Sequence, residues 1–235
     1  SGRMASLILF DIDGTLIHTG GAGSRAMTRA FADVFGVPDA FAGIPMPGRT
    51  DDRILADALL RARITARPEH VGRFRDRYRQ TLTEEIRLPN PGKRLMPGVV
   101  QLLELLTSRP GVGVGLLTGN YPESARIKLE HFDLMRFFAF GAYATDAPDR
   151  SGLVPVALER ARARGFPQPG PSDVIVIGDT PLDIHCARSN SAVAVGVATG
   201  GHDAGTLREA GADLVFDDLG DTAAVLQALG FEAAG

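Results

Sequence analysis

The sequence predicts an α/β protein: a Rossmann-like parallel sheet core with helices on both faces and an inserted α-helical domain. The first observation is a set of nearly continuous apolar stretches such as 174–177, which are typical of parallel strands covered on both faces. The second is a regular alternation of helical and strand patterns from residue 98 onward. The third is a region between residues 20 and 90 in which only helical patterns appear. Together they indicate one sheet whose chain is interrupted after its first strand.

The order of the elements follows from apolar periodicity and from the positions of glycine and proline. Strand 7–10 comes first, and a glycine-rich segment, 20–23, separates it from the helical region. The elements predicted after that segment are helices 24–35, 51–64 and 69–86, helix 98–107, strand 112–117, helix 122–131, strand 137–141, helix 153–164, strand 173–178, helix 181–188, strand 192–196, helix 204–210, strand 213–216 and a final helix. We therefore predict an α/β core of residues 1–19 and 94–235 and a helical domain of residues 20–93.

The composition is that of an ordinary globular protein. The chain has 235 residues, of which 44% are hydrophobic and 23% charged, and its net charge is −3. This balance favours neither a nucleic-acid nor a membrane partner, and we find no apolar run long enough to cross a bilayer and no signal peptide. The single cysteine, Cys186, excludes an intramolecular disulfide, so we expect a cytoplasmic protein.

Two aspartates follow the first predicted strand, two residues apart. Asp11 and Asp13 stand where the apolar run of residues 7–10 leads into Gly14. At such a turn both carboxylates can converge on one cavity at the carboxyl end of the strand, where open α/β sheets bind ligands. An aspartate before glycine is also ordinary turn chemistry, which explains Asp13 but not Asp11. The pair therefore predicts a metal-assisted aspartyl nucleophile.

Residues 7–16 resemble motif I of the haloacid dehalogenase-like (HAD) hydrolases, a hydrophobic run followed by Asp-x-Asp-Gly-Thr-Leu. In that family the first aspartate attacks phosphorus and the second handles the proton. The resemblance thus implies that Asp11 is the nucleophile and that Asp13 is the general acid and base. Because a carboxylate repels a phosphate dianion, a divalent cation must lie between them.

Motif II of the family is matched at the end of strand 112–117. Thr118, Gly119 and Asn120 offer a hydroxyl and backbone amides before a helix N-terminus, which is a favourable anion site. The resemblance implies that they bind the phosphoryl group and that Thr118 takes part in catalysis. The alternative is that these residues only cap the following helix.

Motif IV is matched at the end of strand 173–178, where Asp179 and Asp183 have the Gly-Asp-x-x-x-Asp spacing. The resemblance implies Mg²⁺, a hard cation that prefers oxygen ligands, bound by Asp11, the main-chain carbonyl of Asp13 and Asp179. Asp183 would bind through water or orient the loop. The alternative for Asp179 is a helix N-cap, with Pro181 early in the helix.

Motif III departs from the family pattern, because no lysine precedes motif IV at the usual place. Arg150 lies just before the predicted helix 153–164, and a guanidinium can neutralise the nucleophile and the phosphate with a different reach. Lys128 is the second candidate. The alternative for Lys128 is a solvated position on an amphipathic helix.

The helical domain resembles the type 1 cap of HAD proteins, and residues 48–51 resemble the segment that faces the active site in phosphoglycolate phosphatase-like members. The resemblance implies that Arg49 contacts a substrate carboxylate or phosphate. A solvated arginine beside a helix cap is the alternative.

These resemblances predict a Mg²⁺-dependent phosphatase that hydrolyses a small phosphate monoester, with phosphoglycolate as an example, through an aspartyl-phosphate at Asp11. The main alternative is a phosphosugar mutase of the β-phosphoglucomutase type, and Thr15 after Gly14 favours hydrolysis. A receiver-type phosphoacceptor module is a further alternative. The expected partner is a small phosphorylated molecule, and we expect a monomer or a homodimer.

Overall fold

The computed structural model describes residues 6–232, and a six-stranded parallel sheet forms its centre. In chain order the strands are β1 (Ser6–Phe10), β2 (Ile17–Thr19), β3 (Lys93–Leu95), β4 (Val112–Leu117), β5 (Phe140–Ala142), β6 (Val174–Gly178), β7 (Val193–Val197) and β8 (Leu214–Phe216). The six-stranded sheet has the order β5-β4-β1-β6-β7-β8. Within this sheet β4 lies on one side of β1 and β6 on the other, and β7 and β8 extend the sheet beyond β6. The predicted Rossmann-like fold class is confirmed, and its topological switch point lies at the carboxyl ends of β1 and β6.

Some helices cover the two faces of this sheet, and others form an insertion. They are α1 (Ala22–Phe35), α2 (Asp51–Arg61), α3 (Pro68–Glu85), α4 (Val99–Thr107), α5 (Pro122–His131), α6 (Leu153–Ala163), α7 (Pro181–Ser189), α8 (Ala204–Glu209) and α9 (Thr222–Ala228). Alternate residues of β1 face opposite layers: Ile8 packs in the cluster that contains α4, α5 and α9, and Leu9 in the one that contains α6, α7 and α8. Both side chains have 0% exposure, which explains why the strand is apolar at every position. Within residues 6–232, no helix combines the length and apolarity that a membrane span requires.

Three of the helices, α1, α2 and α3, form the helical insertion between β1 and β4. They share a hydrophobic cluster whose centre is aromatic: the ring of Phe31 lies 5.5 Å from that of Phe41 and 6.3 Å from that of Phe74. The ring of Tyr78 stacks on Phe74 at 6.0 Å. The helices begin and end within a few residues of the predicted ranges. The domain division itself stays a prediction, and the two ends of its core segment, 1–5 and 233–235, lie outside the described residues.

A two-stranded antiparallel ribbon was not predicted. It pairs β2 with β3 and sets His18 opposite Arg94. With three residues in each strand, no alternating pattern is long enough to be recognised in the sequence. The predicted strand 137–141 was also displaced, because Met135–Phe137 forms a 3₁₀ turn and β5 begins only at Phe140.

Gly98, which precedes α4, supplies a test of the packing that holds this helix. It has φ +74°, and a Cβ there would overlap the carbonyl oxygen of Leu219. Gly36, with φ +71° and open space around it, is the matched control. We expect Gly98→Ala to lower the free energy of unfolding by about 3 kcal/mol, from left-handed strain and overpacking, and Gly36→Ala by about 1 kcal/mol, from strain alone. Urea denaturation measures both, and equal losses would contradict the contact with Leu219.

Candidate active site

Three neighbouring strands of the sheet end in polar residues at the same edge. Asp11 follows β1, Thr118 follows β4 and Asp179 follows β6. The strands are parallel and adjacent, so their carboxyl ends meet at the switch point of the fold. The site therefore lies where the sheet topology opens a crevice.

A tight turn sets the two motif I carboxylates at different depths. The Asp11 N–H donates to the Ile177 carbonyl at 3.0 Å, which extends the pairing of β1 with β6 by one residue. Gly14, with φ +81°, then reverses the chain. The side chain of Asp11 is 7% exposed, whereas that of Asp13 is 47% exposed because it faces the cavity. Asp11 thus lies at the floor of the cavity and Asp13 on its wall.

Asp11, Asp179 and Asp183 form an acidic cluster in which one carboxylate oxygen of each lies within 4.8 Å of the others. All three are buried. Burial and the nearby charge of Asp183 raise the pKa of Asp179 to about 7, and the same two causes raise the pKa of Asp11 well above its ordinary value. Such a set of hard oxygen donors is suited to a divalent cation.

The carboxylate of Asp179 is held from several sides. The Thr15 hydroxyl donates to its Oδ1 at 3.0 Å. Gly14 and Gly200 lie so close that a Cβ on either would overlap Oδ2. The helix N-cap of α7 is Thr180, whose hydroxyl is paired with Asp183 in a capping box, so the N-cap interpretation of Asp179 was wrong. Asp179 is free to serve the acidic cluster.

Arg150 is the cation of this cluster. One guanidinium nitrogen, Nη2, lies 2.5 Å from Asp183 Oδ1 and 3.5 Å from Asp11 Oδ1, and it also donates to the Leu117 carbonyl at 3.1 Å. Nη1 donates to the Gly48 carbonyl in the helical insertion at 3.2 Å. Among the described residues, Nε has no hydrogen-bond partner although it is buried. Arg150 therefore keeps one donor for an anionic oxygen.

Lys128 is the cation of Asp13. Its Nζ lies 3.0 Å from both carboxylate oxygens of Asp13 and 2.7 Å from Asn120 Oδ1. The residue is only 5% exposed, so it is not the solvated helix position considered in the sequence analysis. Burial alone would raise the pKa of Asp13, but Lys128 and the Asn120 amide lower it overall. Both residues considered for motif III thus lie in the site, each beside a different carboxylate.

The loop after β4 is organised around a buried hydroxyl. Thr118 Oγ1 accepts hydrogen bonds from the Asn120 N–H at 3.0 Å and from Asn120 Nδ2 at 2.8 Å. Nδ2 also donates to Asp13 Oδ2 at 2.8 Å. Gly119 and Asn120 line the cavity, whereas Thr118 has 0% exposure and is not among the lining residues. Thr118 therefore orders the loop, and its neighbours present the surface.

The helical insertion closes directly onto this loop. The Asp51 N–H donates to the Gly119 carbonyl at 2.7 Å, and Asp51 Oδ2 accepts from the Tyr121 N–H at 2.9 Å. A Cβ on Gly119 would overlap the Arg49 carbonyl oxygen, so only glycine fits there. Burial raises the pKa of Asp51 to about 7. This contact thus places a carboxyl group from α2 beside the loop after β4.

Arg49 lines the cavity, but its guanidinium is engaged by its own segment. Nη1 donates to the Pro45 carbonyl at 2.7 Å, and Nη2 lies 2.5 Å from the Asp57 carboxylate. The side chain is half-buried, so the solvated interpretation does not describe it either.

The enclosed space between sheet and insertion is a cavity of about 470 Å³. Its buried end holds the carboxylates, Lys128 and Arg150, and the exposed side chains of His18 and Arg94 on the two-stranded ribbon also line it. Three residues that shape the site were given no role of their own from the sequence. Thr15 was assigned no contact, Asp51 was only part of the segment 48–51, and Gly200 was not considered. A glycine-rich segment after β7, at 200–201, is the signal that could have identified the last of these.

The chain was compared with known proteins. A family model described as haloacid dehalogenase-like hydrolase matches residues 5–190. The probable phosphatase IndB of Dickeya dadantii (strain 3937) is 27% identical over 239 residues, which cover 96% of this chain and 95% of that protein.

Solved structures share the fold. A predicted phosphoglycolate phosphatase from Haemophilus somnus 129pt has a TM-score of 0.70 at 21% identity, with 96% of this chain and 99% of that chain covered. A β-phosphoglucomutase from Clostridium difficile has a TM-score of 0.69 at 19% identity, with 96% and 97% covered. Because the family model spans most of the chain, the protein belongs to the haloacid dehalogenase-like hydrolase family.

Proposed function

We propose that the protein is a Mg²⁺-dependent phosphatase that hydrolyses a small-molecule phosphate monoester through an aspartyl-phosphate at Asp11. The observation that carries this proposal is the pairing of a buried acidic cluster with a separate, cavity-facing carboxylate, Asp13, that has its own lysine. A nucleophile and a proton carrier must differ in environment in this way.

The acidic cluster fits a magnesium ion. Its donors are hard oxygens, and glycine at positions 14 and 200 leaves the Asp179 carboxylate the space that a Cβ would fill. Asp11, Asp179 and the main-chain carbonyl of Asp13 would hold the ion, and Asp183 would orient Arg150 and the loop. The bound ion would neutralise charge between Asp11 and the phosphate.

In the first step an Asp11 oxygen bonds to phosphorus and the bond from phosphorus to the alcohol oxygen breaks, with the proton for that oxygen coming from Asp13. In the second step water attacks the aspartyl-phosphate, Asp13 takes the proton, and Asp11 is released. In the resting site Lys128 favours the charged form of Asp13, which suits the second step. A phosphoryl oxygen that competes for Lys128 would raise the pKa of Asp13 and favour the first step.

The motif III role is divided in this proposal. Arg150 balances the acidic cluster, and Lys128 orients Asp13 with Asn120 and binds a phosphoryl oxygen together with the backbone of Gly119. The helical insertion of residues 20–93 acts as a cap that excludes water. A small substrate and a cytoplasmic location remain predictions, as does a monomer or homodimer.

The solved mutase and phosphatase structures are too distant in sequence to choose between the two reactions, and their likeness supports the fold alone. Thr15 donates to Asp179 in this chain, so it serves the acidic cluster rather than a sugar. Hydrolysis is therefore the reaction we propose. Membership of a hydrolase family excludes the receiver-type module.

The nucleophile is tested by Asp11→Asn, which keeps the size of the side chain but removes the charged oxygen. We expect the hydrolysis of p-nitrophenyl phosphate with Mg²⁺ to fall at least 10³-fold, on the order of a lost covalent route. Asp133→Asn, at an exposed position, is the control and retains full activity. An active Asp11→Asn protein with an unchanged melting temperature would refute the assignment.

The metal site is tested by adding a methyl group behind Asp179. Gly200→Ala displaces the carboxylate, and we expect Mg²⁺ affinity measured by calorimetry to fall about 10- to 100-fold, as for the loss of a group that orients a ligand. Gly201→Ala is the adjacent control, because nothing lies within 4 Å of its Cβ position. Equal affinity in the two variants would contradict the proposed role of Asp179.

The division between the two cations is tested by Arg150→Met and Lys128→Met. Without metal, Arg150→Met leaves three buried carboxylates unbalanced, so we expect a loss of about 3–5 kcal/mol in unfolding free energy, most of which Mg²⁺ restores. Lys128→Met affects a half-exposed carboxylate, so its loss is smaller and does not respond to Mg²⁺. Thermal unfolding with and without Mg²⁺ measures both, and the same metal response in the two variants would contradict the division.

A further inference from the structure

The cavity is much larger than a phosphoryl group. Its volume of about 470 Å³ lies within the range of about 300–1,000 Å³ that is typical of sites for drug-sized ligands. The catalytic carboxylates occupy only its inner end. The remaining space is available to the alcohol part of the substrate. The residues that line this space therefore constrain the chemistry of that group.

The wall contributed by the helical insertion is largely apolar. Met27 from α1, Ile54 from α2 and Tyr78 from α3 line the cavity, and Met46 continues this surface from the loop before α2. The first three are 1–3% exposed and belong to the hydrophobic cluster of the insertion, so they are fixed in place. Such a wall favours a ligand with an apolar face.

The charged group that α2 adds to this wall is an acid. Asp51 lines the cavity and makes two hydrogen bonds to the loop after β4: its Oδ2 accepts from the Tyr121 N–H, and its own N–H donates to the Gly119 carbonyl. Oδ1 is left for a ligand. A hydroxyl donor on the ligand would be accepted there, whereas a second carboxylate would be repelled by the charged form of Asp51, which predominates above pH 7.

The cations that line the inner cavity serve the carboxylates there and, in the proposed mechanism, the phosphoryl group. Lys128 makes three contacts with Asp13 and Asn120, and Arg150 is held by Asp183 and Asp11. Arg49 is paired with Asp57. Among the lining residues this leaves the exposed pair His18 and Arg94 on the ribbon. A carboxylate two atoms from the phosphate, as in phosphoglycolate, would meet Asp51 rather than an available cation.

From this we infer that the substrate is a phosphate monoester of an uncharged alcohol that has an apolar face and a hydrogen-bond donor, selected by Asp51 and the apolar wall. The inference rests on the proposed phosphatase function and narrows its substrate class. Asp51 is a specificity-determining residue that also orders the loop after β4. Phosphoglycolate is then a poor substrate.

The test compares two substrates of nearly equal size, 2-hydroxyethyl phosphate and phosphoglycolate, in which a hydroxymethyl group replaces a carboxylate. With Mg²⁺ we expect kcat/KM for the uncharged substrate to be at least tenfold higher. Benzyl phosphate against ethyl phosphate tests the apolar wall, and we expect at least a fivefold lower KM for the benzyl ester. Equal or reversed preference in the first pair would overturn the inference.

Three variants identify the residues responsible. Asp51→Asn keeps an oxygen for the Tyr121 N–H but removes the charge, and we expect the preference against phosphoglycolate to shrink about tenfold. Met46→Lys, at a half-buried position, supplies a cation in the wall and should raise kcat/KM for phosphoglycolate at least tenfold even if Asp51→Asn does not fold. Arg94→Ala removes the remaining arginine that lines the cavity at the ribbon, and we expect it to leave the substrate ratio unchanged because Asp51 and the apolar wall make the selection.

The outcomes separate the inference from the function on which it rests. If neither substrate nor p-nitrophenyl phosphate is hydrolysed with Mg²⁺, the phosphatase proposal fails. If p-nitrophenyl phosphate is hydrolysed but phosphoglycolate is preferred, the substrate class is wrong. Loss of that preference for phosphoglycolate in Arg94→Ala would then show that a distal anion is bound at the ribbon.

Discussion

The structure depends on the balance of charge at one edge of the sheet. Four carboxylates, those of Asp11, Asp13, Asp179 and Asp183, lie where three parallel strands end, and three of them are buried. Each buried charge costs several kcal/mol unless a partner compensates for it. Arg150 and Lys128 supply that compensation from different elements, so the site stays folded and still lacks two positive charges. In the proposed function, a divalent cation would supply this missing charge.

The parallel sheet is what makes this concentration of charge possible. Because β1 lies between β4 and β6, Asp11 meets Thr118 and Asp179 although it precedes each of them by more than one hundred residues in the sequence. The glycines at 14 and 200 let Asp179 approach the turn after β1 closely. Backbone topology thus supplies the juxtaposition, and small residues supply the short distances.

The fold and the strand-end carboxylates could be predicted from the sequence because both depend on local patterns: apolar strands, turns and motif spacing. The contacts of Lys128 and Asp51 could not. Lys128 lies in a late turn of α5 and Asp51 in the first turn of α2, and both are ordinary helical positions. The burial of each side chain depends on packing between elements that are distant in the sequence. The three-residue strands β2 and β3 were missed because hydrogen bonding between them, not propensity, creates them.

In the proposed function, the contact between the helical insertion and the loop after β4 links specificity to chemistry. Asp51 accepts from the Tyr121 N–H, one residue after Asn120, and Asn120 in turn donates to Asp13 and accepts from Lys128. An alcohol group that leaves Asp51 undisturbed therefore preserves the loop that orients the proton carrier. An alcohol group that repels Asp51 disturbs both the position of Asp51 and this loop. On this proposal, selection by the helical insertion would act on the rate of the chemical step as well as on binding, because the same backbone carries both contacts.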